Sequence, residues 1–118
     1  MLKVHAKKLH AVEVLSLEGQ IVNGETEILR SAVQLASGSS EIVLDLSNVS
    51  IVDAHGLGVL LQLREQTLAR GVHLELINVS RSLYKIFEIT RLNTVFAINS
   101  DVSFFPEVAY SQPVRVAA

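Results

Sequence analysis

The chain is predicted to fold as one α/β domain, a mixed sheet layered with helices. Three observations predict it. After two opening strand-like segments, strand and helix patterns alternate along the chain. The run Ile42-Val43-Leu44 is apolar on both faces, as a strand covered on both sides is. The 118 residues, 49% of them hydrophobic, suffice for a single core, with no repeat and no second domain.

Leu2, Val4 and Ala6 alternate with Lys3, His5 and Lys7, the pattern of a half-buried outer strand with lysines on its wet face. Ala11 to Leu17 reads as a second strand, ended by Gly19. Its phase slips between the pairs Val12/Val14 and Leu15/Leu17, which requires a bulge or burial on both faces. Asn23 to Ala36 reads as a helix, because Ile28, Leu29, Ala32, Val33 and Ala36 recur at helical spacing and Gly38 follows as a stop. The third strand, Glu41 to Leu46, is the most apolar and is expected at the centre of the sheet, with Ser47-Asn48 turning the chain away. Val72, Leu74 and Leu76 form a fourth strand. Ser80 is placed to cap a third helix whose inner face is Leu83, Ile86, Phe87 and Thr90. Val95 to Ile98 is a short fifth strand. A last helix is predicted beyond Asp101 through Phe104, Phe105, Val108 and Ala109, with Pro106 near its start and Pro113 at its end. The domain is thus drawn over 1–112, with 113–118 as a frayed tail.

Ile51 to Leu68 joins the central strand to an amphipathic helix that ends near Gly71. Asp53 is a natural N-cap, since its carboxylate can accept from N–H groups of the first turn. Gly56 and Gly58 leave that turn nearly bare, so another surface can approach the backbone. The helix start also carries partial positive charge. At about 100° per residue, Leu57, Leu60, Leu61, Leu63 and Leu68 fall on the inner arc, with Arg64 at its margin. Val59 falls outside that arc beside Gln62 and Gln66, where it reads equally as a partner-facing knob or as an ordinary exposed valine. His55, in the first turn, reads as a contact residue or as a simple exposed helix residue.

A net charge of −2 with basic residues spread along the chain leaves no electrostatic footprint for nucleic acid. No apolar run approaches a membrane span, and the opening MLKVHAKKLH lacks the apolar core of a signal peptide; a cytoplasmic protein without direct membrane insertion is expected. The absence of cysteine excludes disulfides and thiolate metal sites. His5, His10, His55 and His73 are not paired at a ligand spacing and form no HExxH motif, so no metal and no other cofactor is expected. Capping is the commoner use of an aspartate at Asp53 than phosphoacceptor or Mg²⁺ ligand. Asp45, directly before a turn, is read as a brace accepting backbone N–H bonds. Gly56-Leu57-Gly58 lacks both the lysine of a P-loop and the GxGxxG pattern. No catalytic residue is identified, and a non-enzyme is expected.

Taken in order, Val43-Leu44-Asp45-Leu46-Ser47, Val52-Asp53-Ala54-His55-Gly56-Leu57-Gly58 and Arg70-Gly71-Val72-His73-Leu74 resemble the STAS domain, the family named for sulfate transporters and bacterial anti-sigma factor antagonists. Leu15-Ser16-Leu17-Glu18-Gly19 is similar to its second strand, and Ile77-Asn78-Val79-Ser80 and Ile89-Thr90-Arg91-Leu92 to segments around its third helix. The likeness runs from Lys3 to Ile98, and a free-standing chain of this length is similar to the antagonists rather than to a transporter tail. It implies a mixed four- to five-stranded sheet with helices mainly on one face. It also implies a protein partner, an anti-sigma factor with a GHKL-type serine-kinase fold that releases its sigma factor when the antagonist binds. Docking is implied at Asp53, Ala54, His55, Gly56, Leu57, Gly58, Val59 and Gln62. In the family pattern the turn reads Asp, Ser, Ser or Thr, Gly, Leu, Gly, and the partner phosphorylates the serine after the aspartate. Here Ala54 stands at that position with His55 beside it, and a methyl group accepts no phosphoryl group. The implied function is an antagonist-like regulatory module not switched at position 54. Two other readings are a cytoplasmic STAS subunit of a lipid-type ABC transport complex and a small anion or nucleotide sensor using the helix N-terminus. The oligomeric state is left open.

Overall fold

Alternation at the N-terminus produces a hairpin in the computed structural model, which describes residues 1–36 and 38–99. Strand β1 (Lys3–Leu9) pairs antiparallel with β2 (Val12–Ile21), Leu9 opposite Val12. His10, with φ 59°, and Ala11 make the two-residue link. The chain then alternates through α1 (Glu27–Leu35), β3 (Glu41–Val52), α2 (Ala54–Ala69), β4 (His73–Ile77), α3 (Arg81–Ile89), a 3-10 turn (Leu92–Thr94) and β5 (Ala97–Asn99). The sheet order is β1-β2-β3-β4-β5, and every pair after the first is parallel. Each parallel crossover steps one strand along in the same direction. Right-handed connections therefore place α1, α2 and α3 on one face of the sheet. The mixed sheet with one-sided helices is as the resemblance implies.

The core lies between that face and the helices. Ile42, Leu44 and Leu46 on β3 are wholly buried, flanked by Leu15 and Leu17 on β2 and by Leu74 and Leu76 on β4. Leu29, Leu60, Leu83 and Phe87 come down on them from the three helices. Phe87 meets Phe96 edge to face, with centroids 5.6 Å apart. β3 is the central strand, as its composition predicts, and β1 is an outer strand whose lysines face water.

Several boundaries differ from the sequence reading. β2 does not end at Gly19 but runs through it, with register shifts against β3 between Ser16 and Glu18 and between Gly19 and Gln20. Those shifts lie beyond the phase slip, since pairing is regular from Val12 to Ser16; the slip reflects burial on both faces, with Leu15 and Leu17 buried and Val12 and Val14 half-buried. Gly19 has φ 123°, and a Cβ there would lie 2.5 Å from the Met1 carbonyl oxygen. β3 does not turn at Ser47-Asn48 but continues to Val52. β4 pairs with β3 only from Glu41 to Asp45, so among the described residues the second half of β3 has β2 as its sole sheet neighbour. Ser47, Asn48 and Ser50 are exposed there, while Val49 and Val52 stay buried. α1 starts at Glu27 rather than Asn23, because a turn closed by Glu25 N–H donating to the Val22 carbonyl at 2.9 Å, with Gly24 at φ 91°, precedes it. Ile28 and Thr90, placed inside by their spacing, are both exposed. Thr90 ends α3 by donating its hydroxyl to the Ile86 carbonyl at 2.8 Å. The helix predicted beyond Asp101 and the 113–118 tail lie outside the described residues. Among the described residues, no helix is long and apolar enough to cross a membrane.

Candidate functional site

Parallel pairing sets Ile21 beside Val52, so the connections leaving β2 and β3 begin side by side. Asp53 ties them together. Its backbone is extended (φ −93°, ψ −178°), which turns the chain from strand to helix. Oδ1 accepts from the Gly56 N–H at 2.7 Å, and Oδ2 accepts from the Asn23 N–H at 3.1 Å. Its own N–H donates to the Ile21 carbonyl at 3.3 Å. The Gly56 N–H, then the Asn23 N–H and to a smaller degree His55, hold the Asp53 carboxyl below its ordinary value. Both oxygens are engaged, so Asp53 acts as cap and clamp.

The two glycines of the first turn differ in what surrounds them. Gly56 is buried, and a Cβ there would fall directly onto the Ile21 carbonyl. Its role is to let α2 approach β2. Gly58 is exposed, and nothing lies within 4 Å of where its Cβ would be. The bare surface expected of both belongs to Gly58.

Of the residues assigned to docking, Ala54, His55, Gly58 and Gln62 are exposed and Asp53 is half-buried. Gly56, Leu57 and Val59 are buried. Val59 corrects the sequence reading: it is 2% exposed and packs into the core, so it is not a knob on the wet side. The reason is the rotation of α2. Its buried residues are Gly56, Leu57, Val59, Leu60, Leu63 and Thr67, whereas Leu68 is 56% exposed. Apolar residues spread over more than half of this helix's circumference, and the inward positions Gly56 and Thr67 are small or polar. An arc drawn through the leucines therefore points too far toward Leu61 and Leu68. Thr67 is accommodated because its hydroxyl donates to the Arg64 carbonyl at 3.0 Å.

Ala54, Gly58 and Gln62 follow one another at helical spacing and form an outward strip. Arg30 on α1 holds the far end, donating from Nη2 to Gln62 Oε1 at 2.8 Å. Ile51, 48% exposed at the end of β3, is an apolar residue near the start of α2 that the sequence reading placed at the head of this stretch but not among the docking residues. Its signal was the break in polarity at Ser50-Ile51, hidden while Ser47-Asn48 was taken as a turn. Asp45 lies within β3, where its pairing with β4 ends, rather than before a turn; its Oδ1 accepts from the Ser47 N–H at 3.0 Å, the backbone bond expected of it, and from Asn78 Nδ2 at 3.1 Å.

A separate grouping lies on β3 and β4. Glu41 is opposite His73 in the pairing, and one ligand-type atom from each of Glu41, His73 and Glu75 lies within 4.8 Å of the others. No spacing along the chain reveals it, because Glu41 belongs to another strand.

Comparison with known proteins places these features. The STAS domain profile matches residues 3–109. The anti-sigma-B factor antagonist of Bacillus subtilis (strain 168) is 30% identical over 87 residues, 73% of this chain and 80% of that protein. The crystal structure of an anti-sigma factor antagonist from Mycobacterium paratuberculosis has a TM-score of 0.74 at 18% identity, covering 88% of this chain and 90% of that one. A sulfate transporter family protein from Wolinella succinogenes has a TM-score of 0.72 at 20% identity, covering 90% of this chain and 88% of that one. At these identities the two structures speak for the fold alone.

Proposed function

Because the chain belongs to the STAS domain family, we propose that it is an antagonist-like regulatory binding module that is not switched at position 54. Its partner in this reading is an anti-sigma factor of the GHKL serine-kinase type, docked on the exposed start of α2. The observation that carries the proposal is the strip Ala54, Gly58 and Gln62, with a methyl group exposed at the position where the family pattern has a serine. The name of the Bacillus subtilis relative, an anti-sigma-B factor antagonist, supports the choice of partner class.

The chemistry follows from charge. A phosphoryl group on a serine here would add about 1.5–2 negative charges. The positive end of α2 would tolerate them within the domain. Pressed against an apolar or acidic partner face, they would cost roughly several kcal/mol in desolvation and like-charge contact. With Ala54 that penalty never arises, so the dock stays open whatever the kinase does.

The test compares the parent with Ala54→Ser and Ala54→Glu against the protein recovered by affinity capture from the source cells. With ATP and the kinase, intact mass should show no gain for the parent and one phosphoryl group for Ala54→Ser, whose affinity then falls. Ala54→Glu should weaken binding without a kinase, and less completely, because one carboxylate carries less charge than a phosphate. A stoichiometric phosphoryl gain on the parent, at Ser47, Ser50 or elsewhere, would sink the unswitched reading. Recovery of a permease and its ATPase would replace the kinase with a transport complex. A rise in Tm with a small anion or nucleotide would indicate a sensor.

A further inference from the structure

We propose that Glu41, His73 and Glu75 form a binding site for one divalent transition-metal ion of the zinc class, on the sheet face turned away from the helices. The proposal is independent of the partner at α2. Its first support is register. Glu41 and His73 are opposite one another across β3 and β4, and Glu75 is the next residue of β4 on the same face. The sheet itself therefore aims three ligand-type side chains at one place from paired backbones. The His73 N–H also donates to the Ser40 carbonyl at 3.1 Å, which fixes the start of β4 beside β3.

Distance is the second support. The three donor atoms lie within 4.8 Å of one another. Bonds of about 2.0–2.2 Å to a tetrahedral ion put donors roughly 3.4 Å apart. Side-chain rotation closes the difference, and His73 is exposed and able to rotate. The donor set is the third. One imidazole with two carboxylates suits zinc, cobalt or manganese better than magnesium or calcium, which take oxygen. Three protein donors leave a coordination position open toward solvent.

Charge is the fourth. Glu41 and Glu75 are both half-buried and lie diagonally across β3 and β4 on one face. Among the described residues, the carboxylates in ion pairs are Glu25, Glu13 and Glu27, and neither Glu41 nor Glu75 forms one. A divalent cation would supply the counter-charge that this pair lacks.

The experiment uses the full chain without a polyhistidine tag, stripped with chelator and titrated with Zn²⁺ by calorimetry. Co²⁺ serves as an absorbance probe of coordination and Mg²⁺ as a control. One equivalent of Zn²⁺ is expected, with the His73 imidazole resonances shifting on addition. His73→Ala and Glu75→Gln should weaken binding roughly tenfold or more, and His5→Ala should leave it unchanged. Because His73 is exposed, His73→Ala should keep the parent's circular dichroism and decides the matter even if Glu75→Gln does not fold. Absence of Zn²⁺ binding by the parent, or equal affinity in a folded His73→Ala variant, overturns the site.

Discussion

Gly56 and Gly58 are separated by one residue and are indistinguishable in sequence, yet they answer to different neighbours. A methyl at Gly58 meets nothing, so Gly58→Ala should raise stability by about 0.5–1 kcal/mol through helix propensity alone. The same methyl would stand on the exposed strip, and affinity for the docked partner should fall. Gly56→Ala forces its methyl onto the Ile21 carbonyl, so α2 must shift off β2 and the Asp53 cap must loosen. A clear fall in Tm is expected. Thermal unfolding of both variants, together with the partner affinity of Gly58→Ala, checks this. Unchanged affinity for Gly58→Ala would move the interface away from the strip. A glycine kept for close packing and one kept for a bare surface differ only in what lies across from them, which is another strand or nothing.

At the scale of the element, α2 is the informative case. Val59 lies in the core at 2% exposure, so Val59→Asp would bury a carboxylate with no partner. The cost, roughly 3–5 kcal/mol by analogy with a broken buried pair, is a large part of the stability of a typical domain. Loss of the folded signal in circular dichroism is expected. Leu60→Ala, at a wholly buried site, should cost about 2–5 kcal/mol in denaturant unfolding. If Val59→Asp folds as well as the parent, the rotation of α2 described above is wrong. β3 carries a similar lesson. Its polar second half resembles a turn because, among the described residues, only β2 flanks it there, and a half-covered strand admits serines and asparagine.

At the scale of the whole molecule, Asp53 couples the acid stability of the fold to the junction of β2, α1 and α2. Its carboxyl is held low in the folded state, chiefly by the Gly56 N–H. A folded pKa below the unfolded one contributes stability above the unfolded pKa, and that contribution is lost as pH falls through the folded pKa. Asp53→Asn keeps an acceptor for the cap but sets an amide donor or a neutral acceptor against the Asn23 N–H. It should therefore be less stable than the parent at about pH 7, with the gap narrowing in acid as Asp53 protonates. Urea unfolding across a pH series from neutral to acid measures it. A gap that does not change with pH would assign the clamp to geometry rather than charge.

What the amino-acid sequence determined by itself was the type and order of the elements, the central place of β3, the Asp53 and Ser80 caps and the family. Each of these rests on patterns within a few consecutive residues: alternation, helical spacing, a capping side chain, a motif. The face of α2 that is buried, the continuation of β3 to Val52, the different surroundings of Gly56 and Gly58 and the meeting of Glu41 with His73 and Glu75 were decided only in the tertiary structure. All four depend on which distant backbone lies across from a residue. Helix rotation and strand register are set by the packing of the whole sheet against its helices, and a local pattern carries no record of that packing.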